Sequence, residues 1–298
     1  MNVVRVGTRG SRLSRAQTDT VTAALSAVHP GLRCQILVLQ TTGDRSEAPL
    51  RQSGATGWFT SEIERALLER RVDLAVHSLK DLPTAPTPGL VVAAIPPRED
   101  PRDALVSQHA SLDALPYGAR VGTSSPRRAA QLRAVRRDLE VVPLRGNVDT
   151  RLRKVRDGEV DAAVLAAAGL LRGGWSEAIA QLLDPEVLLP AAGQGALAVQ
   201  VREDDVELQA LVAALDDPPT RAAVTAERAF LRTLAGGCSL PAGALATVGD
   251  ELVLRVLVAS DDGRRVVRAT RSGPVEQASG IGEAAARQVL ALAPISKW

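Results

Sequence analysis

The sequence contains little cysteine, few aromatic residues and no long apolar run, and each shortage excludes a class of protein. Cys34 and Cys238 are the two cysteines in 298 residues, which excludes a disulfide-stapled scaffold. Aromatic residues make up 2% of the chain, too few to stack single-stranded nucleic acid. No run approaches the ~20 apolar residues of a membrane-spanning helix, and residues 1–8 lack the apolar core of a secretory signal. We therefore expect a cytoplasmic protein with reduced thiols that binds neither nucleic acid nor membranes.

Lysine is also rare, since Lys80, Lys154 and Lys297 are the only lysines among 36 basic residues. The other 33 are arginines, and with 34 acidic residues the formal net charge is +2. This balance argues against a protein that binds polyanions over its whole surface. A planar guanidinium group binds a carboxylate or phosphate through two hydrogen bonds at once, which a lysine cannot do. The arginine excess therefore has two explanations, the base composition of the source genome or a need to bind small anions.

Two familiar ligand motifs are missing or out of context. His29, His77 and His109 do not have metal-ligand spacing, and the sequence has no C-x-x-C pair, so we expect no metal site. Residues 193–198 match the dinucleotide fingerprint G-x-G-x-x-A. They run into a strand pattern instead of a helix, so we do not predict a dinucleotide site there.

Apolar runs typical of strands alternate with helical patterns along most of the chain. Val72–Val76 and Ala162–Leu165 are two such runs, and each precedes a segment with helical periodicity. This alternation predicts an α/β fold with largely parallel sheets. Near the C-terminus, two strand patterns flank Asp261-Asp262-Gly263, which predicts an antiparallel hairpin. The predicted domain boundaries are proline-containing stretches at 96–101, 184–190 and 216–219.

Four polar clusters follow predicted strands, and they occupy residues 7–11, 77–81, 122–128 and 145–151. Ligands of open α/β sheets bind at the carboxyl ends of strands, where helix N-termini present free N–H groups. Ser125 is a predicted helix cap with Pro126 after it, so Arg127 and Arg128 fall in a first helical turn. Cations oppose the helix dipole there, which indicates that the pair binds an anion. For any one cluster, solvated surface side chains remain an alternative.

Two further residues have chemistry of their own. Asp81 follows Lys80 after a buried strand and can act as an acid or base, or stabilise a developing cation; a helix cap or a surface Lys–Asp pair is the alternative. Cys238 lies in a glycine-rich loop, where a thiolate can be a nucleophile or a covalent attachment point. A small buried side chain is the alternative for Cys238. We expect His77 to be structural and Cys34 to be a core residue.

Taken together and in order, these motifs resemble the porphobilinogen deaminase family along nearly the whole chain. Each motif is weak alone, but their number and consistent spacing are specific. The matching segments are Gly7-Thr8-Arg9-Gly10-Ser11, Thr42-Gly43-Asp44, His77-Ser78-Leu79-Lys80-Asp81, Arg98-Glu99-Asp100-Pro101-Arg102-Asp103, Gly122–Arg128, Leu144-Arg145-Gly146-Asn147, Ala168-Gly169-Leu170, Gly193-Gln194-Gly195-Ala196 and Gly236-Gly237-Cys238.

The resemblance implies an α/β fold of three domains. The first two are doubly wound, like type II periplasmic binding proteins, and the third is a small α+β domain with an antiparallel sheet. The implied domains are 1–96 with 195–213, 101–189, and 218–298. The implied activity is a transferase reaction of porphyrin and heme biosynthesis, in which four porphobilinogen molecules are joined head to tail into hydroxymethylbilane with release of ammonia. The implied cofactor is a dipyrromethane held by a thioether to Cys238, and we expect a monomer.

The resemblance also assigns roles to individual residues. Asp81 is the catalytic residue, which hydrogen-bonds pyrrole N–H groups and stabilises a cationic intermediate, and Phe59 stacks on the incoming ring. Many family members carry two lysines in the loop before Phe59, where this sequence has Gln52 and Thr56, with Arg51 as the nearest cation. The residues assigned to cofactor and substrate binding are Arg9, Ser11, Phe59, Lys80, Thr123, Ser124, Ser125, Arg127, Arg128, Arg145, Gly146, Asn147, Arg151, Arg172 and Gln194.

Two other functions stay open at the level of sequence. A non-catalytic two-domain protein that binds a small dicarboxylate has no use for Cys238 in its glycine loop or for Asp81. A thiol hydrolase that uses Cys238 needs a histidine base, and nothing in the sequence brings a histidine near that cysteine.

Overall fold

The computed structural model describes residues 3–39, 60–234 and 241–292. The strands in this part of the chain are β1 (Val3–Arg9), β2 (Arg33–Leu39), β3 (Leu74–Ser78), β4 (Leu90–Ala94), β5 (Asp103–Ser107), β6 (Arg120–Gly122), β7 (Glu140–Val142), β8 (Ala162–Ala166), β9 (Gln181–Leu182), β10 (Leu197–Arg202), β11 (Ala242–Val248), β12 (Leu252–Ala259) and β13 (Val266–Gly273). The α-helices are α1 (Arg12–Val28), α2 (Ser61–Leu68), α3 (Pro126–Val135), α4 (Val148–Arg156), α5 (Ala167–Arg172), α6 (Val206–Ala213), α7 (Pro218–Leu234) and α8 (Ala278–Leu292).

The chain divides into two compact units. Unit 1 comprises Met1–Arg98 with Ala196–Arg221, and unit 2 comprises Glu99–Gly195 with Ala222–Trp298. Each unit therefore contains two separate stretches of the sequence. The finer division into three domains stays a prediction.

Unit 1 contains a five-stranded sheet in the order β2-β1-β3-β10-β4. Strand β1 runs parallel to β2 and β3, whereas β10 runs antiparallel to β3 and β4. Successive residues of β3 enter opposite cores, as strand geometry requires. Leu74 and Val76 join the cluster that includes residues of α1 and α6, and Ala75 joins the cluster that includes residues of α2. The sheet is thus covered by helices on both faces.

Unit 2 contains a second five-stranded sheet in the order β7-β6-β8-β5-β9. Strand β6 runs parallel to β7 and β8, and β5 runs antiparallel to β8 and β9. Apolar residues alternate between two cores here as well, with Leu105 and Val164 on one side and Ala104 and Leu165 on the other. Each five-stranded sheet is therefore mixed, where the sequence pattern predicted largely parallel sheets. The antiparallel members, β5 and β10, follow irregular segments instead of helices.

Unit 2 also contains a three-stranded antiparallel sheet in the order β11-β12-β13. The predicted hairpin joins β12 to β13, and the predicted α/β class with a small antiparallel sheet is confirmed. Helices α7 and α8 share a core with this sheet, centred on the fully buried Phe230. The two helices approach so closely at Gly282 that a Cβ there would lie 2.2 Å from the Ala226 carbonyl oxygen. Glycine is required at this position because no side chain fits.

The two five-stranded sheets repeat one local arrangement. The same four residue types, Arg-Val-Gly-Thr, begin at Arg5 in β1 and at Arg120 in β6. The backbone N–H of Arg5 donates to Asp73 Oδ2 at 2.9 Å, and that of Arg120 donates to Asp161 Oδ2 at 2.6 Å. Each aspartate stands just before the strand that pairs with β1 or β6. In each sheet, an aspartate just before one strand therefore accepts a hydrogen bond from the backbone of the neighbouring strand.

Candidate active site

Three predicted site residues lie at one edge of the unit 1 sheet. Arg9 ends β1, and Lys80 and Asp81 lie in the 3-10 turn that directly follows β3. Because β1 and β3 run parallel, their carboxyl ends reach the same edge. This is the edge at which α/β proteins bind ligands. Arg9, Lys80 and Asp81 thus lie at the sheet edge that the sequence predicted for them.

The turn that carries Asp81 is firmly anchored. The side chain of Leu79 is 1% exposed, and its backbone N–H donates to the carbonyl oxygen of Ala196 at 3.0 Å. Leu82 is buried as well, and its N–H donates back to Leu79. Asp81 itself is exposed, and no hydrogen bond or ion pair to another described residue uses its carboxylate. The backbone therefore holds an available carboxylate in a fixed position.

Ser11 has a structural role that the sequence assignment did not include. It is the N-cap of α1, where its Oγ accepts a hydrogen bond from the N–H of Ser14 at 3.2 Å. The same hydroxyl donates to Ser14 Oγ at 2.8 Å. Ligand binding through the Ser11 hydroxyl stays a prediction.

The hydroxyl groups after β6 shape the loop that leads into α3. Ser125 caps α3 and Pro126 begins it, which confirms the predicted helix start. Ser124 Oγ donates to the carbonyl oxygen of Leu144 at 2.8 Å, and Thr123 Oγ1 accepts from the N–H of Ser125 at 3.2 Å. These side chains stabilise the strand-to-helix turn. Pro126 has no N–H and the Arg128 N–H donates to Ser125 Oγ, so the Arg127 N–H is the first-turn backbone donor that remains for a ligand.

The anion beside Arg127 and Arg128 in this structure is a residue of the chain itself. Asp103 is completely buried; its Oδ2 lies 2.8 Å from Arg127 Nη1, and its Oδ1 lies 2.7 Å from Arg128 Nη2. Burial by itself would raise the pKa of Asp103. The charges of the two arginines outweigh that effect and hold its pKa well below the usual value. The sequence predicts the arginine pair as an anion site but does not reveal the carboxylate between the two arginines.

Local sequence does not show that Asp103 lies at this site, because it does not determine the direction of a strand within a sheet. Its motif was recognised, but Asp103 is the first residue of β5, and in a parallel sheet a first residue lies away from the ligand edge. Since β5 runs antiparallel to β8, Asp103 pairs with Ala166, the last residue of β8. The reversal of β5 therefore brings Asp103 to the carboxyl ends of β6 and β8.

Gln194 belongs to this buried cluster. It is 1% exposed, and its Nε2 donates to Asp103 Oδ1 at 2.9 Å and to the carbonyl oxygen of Pro101 at 2.7 Å. Strand β10 begins three residues later, which agrees with the absence of a dinucleotide-binding turn. These contacts show Gln194 holding Asp103; a direct contact with a ligand stays a prediction.

The predicted site residues after β7 form a second strand-to-helix turn. Gly146 has a φ of +109°, and a Cβ there would lie 2.6 Å from Thr150 Cγ2, so this turn requires glycine. Arg151 Nε donates to the carbonyl oxygen of Gly146 at 2.8 Å. Asn147 is the N-cap residue of α4 but makes no side-chain cap. Arg145 is half-buried beside this turn.

Arg172 is placed differently from the other predicted arginines. It ends α5, and its Nη2 donates to the carbonyl oxygen of Gly195 at 2.8 Å. Burial lowers its pKa, although the charge of Glu99 opposes the shift. The bond links α5 to the loop that carries Gln194.

Several predicted site residues lie outside the described part of the chain. These are Phe59 and Cys238, together with the motif at 42–44 and the loop positions Arg51, Gln52 and Thr56. Their assignments stay predictions.

His77 is buried within β3, directly before the Asp81 turn, as expected of a structural histidine. It is 5% exposed, and its Nε2 has no hydrogen-bond partner among the described residues. Burial lowers the pKa of His77 to about 4, and the side chain of Gln200 opposes only part of this shift. The imidazole is therefore neutral near pH 7.

This pKa predicts acid sensitivity. A histidine whose pKa is lower in the folded state contributes stability above about pH 6.5, and that stability is lost as the pH falls through about 4. Between pH 7.5 and 4.5, His77 is expected to account for a loss of about 2 kcal/mol in the free energy of unfolding. Urea titrations of the wild type and His77→Gln measure it, and the variant should lose correspondingly less. Parallel pH profiles for the two proteins would contradict this pKa.

The described residues contain neither a cluster of potential metal ligands nor a helix able to span a membrane. No group of three or more potential metal ligands is found at 3–39, 60–234 and 241–292. Over the same residues, no helix combines the length and hydropathy needed to cross a membrane.

Comparison with known families gives matches along both units. Residues 4–210 match the family model "Porphobilinogen deaminase, dipyromethane cofactor binding domain", and residues 221–291 match "Porphobilinogen deaminase, C-terminal domain". The chain is 53% identical over 292 residues to the porphobilinogen deaminase of Roseiflexus castenholzii, covering 97% of this chain and 96% of that protein. It is 50% identical over 291 residues to the enzyme of the same name from Syntrophobacter fumaroxidans, covering 97% and 94%.

Similarity to solved structures is much weaker. The VFT2 domain of BvgS from Bordetella pertussis gives a TM-score of 0.41 at 18% identity, covering 71% of this chain and 85% of that one.

Proposed function

The chain belongs to the porphobilinogen deaminase family, and we propose that it joins four porphobilinogen molecules head to tail into hydroxymethylbilane with release of ammonia. The match of residues 4–210 to the cofactor-binding domain, with relatives about half identical over nearly the full length, carries this conclusion. The substrate is porphobilinogen, and the cofactor is a dipyrromethane. Asp81 and the arginines at the strand ends have the charge and hydrogen-bonding capacity that binding of porphobilinogen and a dipyrromethane requires.

The donors at the strand ends of unit 2 fit the carboxylate groups of a dipyrromethane. Each of its pyrroles bears an acetate and a propionate, which guanidinium groups and helix N-terminal N–H groups bind well. Arg127 Nε is buried and has no hydrogen-bond partner among the described residues. A buried donor of this kind destabilises a protein unless an acceptor satisfies it, so it favours an anionic ligand. When bound, the dipyrromethane supplies the primer on which the polypyrrole chain is extended.

We assign the holding of cofactor and substrate carboxylates to Arg9, Arg127, Arg145 and Arg151, with Lys80 assisting. The backbone N–H of Arg127 and the N–H groups at the start of α4 would add further donors. Phe59 is assigned to stacking on the incoming ring, and Cys238 to the thioether.

Asp81 is assigned the proton chemistry. Its exposed carboxylate, fixed by the buried Leu79, can accept a hydrogen bond from the pyrrole N–H of the substrate. Positive charge that develops on the ring nitrogen is then stabilised by the adjacent anion, and the carboxylate oxygen can take up or return a proton.

We propose three domains, 1–96 with 195–213, 101–189 and 218–298, in a monomer that works in the cytoplasm without nucleic acid or membrane partners. The non-catalytic dicarboxylate binder is not favoured, since the family is named for its deaminase activity.

Product analysis tests the proposed function. When purified protein is incubated with porphobilinogen, we expect one ammonia released for each porphobilinogen consumed, and hydroxymethylbilane as the first product detected by chromatography. A sample that binds porphobilinogen without releasing ammonia would support the dicarboxylate binder instead. Heat-unfolded protein is the control for spontaneous condensation.

A further inference from the structure

The carboxylate of Asp103 contacts three side chains that the sequence assigned to ligand binding. Oδ1 accepts hydrogen bonds from Arg128 Nε at 3.0 Å and Nη2 at 2.7 Å, and from Gln194 Nε2 at 2.9 Å. Oδ2 lies 2.8 Å from Arg127 Nη1. Asp103 is completely buried, so it cannot itself be reached by a ligand. Its influence on a ligand passes through the side chains it holds.

The charges of this cluster do not cancel. Two guanidinium groups share one carboxylate, which leaves one positive charge within the cluster. The N-terminus of α3, where Arg127 and Arg128 lie, adds positive potential. Only 6% of the Arg127 side chain and 8% of the Arg128 side chain are exposed. With so small an accessible edge, the orientation of each guanidinium group decides whether an anion can reach its N–H groups.

The two arginines differ in the donors they retain. Arg128 uses Nε and Nη2 on Asp103, and its Nη1 donates to the carbonyl oxygen of Val164 at 3.1 Å. Arg127 uses Nη1 on the carbonyl oxygen of Leu189 at 2.6 Å, its Nε is buried with no partner among the described residues, and its Nη2 donates to no described residue. Arg128 is therefore committed to the fold, and Arg127 is the member of the pair with a donor to spare.

We propose that Asp103 is a positioning residue for ligand binding, which locks Arg128 in place and orients Arg127 toward one carboxylate of a pyrrole. This inference rests on the proposed function, because the pyrrole carboxylates of that reaction are the ligand. It divides the arginine pair into an inner member, Arg128, and a contacting member, Arg127.

Replacing Asp103 by asparagine tests the proposal against a matched control. Asp103→Asn keeps the shape but removes the anion, so the two guanidinium groups repel each other. Asp100→Asn removes a neighbouring carboxylate that is paired with Arg102 at 2.6 Å and does not touch the cluster. Both variants are compared with the wild type at a temperature where circular dichroism shows all three folded.

We expect the KM for porphobilinogen to rise about tenfold or more in Asp103→Asn, as for loss of an oriented charge-assisted contact, with a much smaller change in kcat. The fraction of apoprotein that gains a covalent dipyrrole from porphobilinogen, measured by intact mass, should fall as well. Asp100→Asn should match the wild type in both. A lower melting temperature with wild-type KM and wild-type loading would reduce Asp103 to a purely structural role and overturn the inference.

If Asp103→Asn does not fold, a second variant distinguishes a positioning role of Asp103 from a charge-balancing role. Asp103→Glu keeps the charge balance but moves the carboxylate by one methylene, so a positioning role predicts a raised KM and a charge-balancing role predicts a wild-type KM. Failure of the proposed function is recognised separately, because the wild type itself would then form no hydroxymethylbilane.

Discussion

Replacing Cys238 by alanine is expected to yield protein of bare polypeptide mass that makes no hydroxymethylbilane. A thioether needs the sulfur atom, and alanine offers no nucleophile in its place. The wild type should carry the added mass of two pyrrole units. Intact mass spectrometry of both purified proteins, before and after incubation with porphobilinogen, measures the difference.

The second cysteine supplies the control. Cys34 lies on β2, and burial raises the pKa of its thiol, so less of the reactive thiolate is present near neutral pH. Cys34→Ala should therefore keep both the added mass and the activity. An adduct that disappears in Cys34→Ala and persists in Cys238→Ala would refute the attachment site, and bare wild-type protein after reconstitution would refute the cofactor.

Replacing Asp81 by alanine is expected to lower kcat by roughly 10²- to 10⁴-fold, the range for loss of a positioned acid or base. The side chain is exposed and unpaired among the described residues, so its removal should leave the fold unchanged. Carboxylate binding by the arginines does not involve Asp81, so we expect cofactor loading and substrate binding to persist. Single-turnover kinetics separate binding from the chemical step.

A carboxylate on the outer surface of unit 1 controls for charge. Asp19 is exposed on α1, and Asp19→Ala removes the same charge away from the sheet edge. This variant should retain wild-type kcat. Hydroxymethylbilane formation by Asp81→Ala within threefold of the wild type would show that the reaction does not depend on this carboxylate.

Local sequence was enough to predict which edge of each five-stranded sheet carries the polar strand-end turns. Ser125 and Pro126 predict the start of α3, because helix capping and the fixed φ of proline are local effects that act within a few residues. The Asp81 turn follows a strand whose apolar run is readable by itself. The position of His77 in that apolar run also predicts a structural role, and His77 is buried.

Which residues meet at that edge depends on pairing between strands that are distant in the sequence. The helix position of Arg127 and Arg128 predicts that they bind an anion, and in the structure that anion is Asp103, 24 and 25 residues upstream. Mixed pairing also brings the start of β10 beside the end of β3, where Leu197 pairs with Ser78. Strand direction results from long-range packing, so local periodicity could not reveal either contact.

By itself, the sequence determined the helical turns at the strand ends, the excess of arginine there and the family to which the chain belongs. These follow from caps, apolar periodicity and motif order, all of which act over short stretches. Only the tertiary structure decided which arginines keep donors for a ligand. Asp103 reaches Arg127 and Arg128 because β5 runs antiparallel to β8. A buried carboxylate must be paired with cations, so these ion pairs occupy guanidinium N–H groups that a ligand would otherwise use.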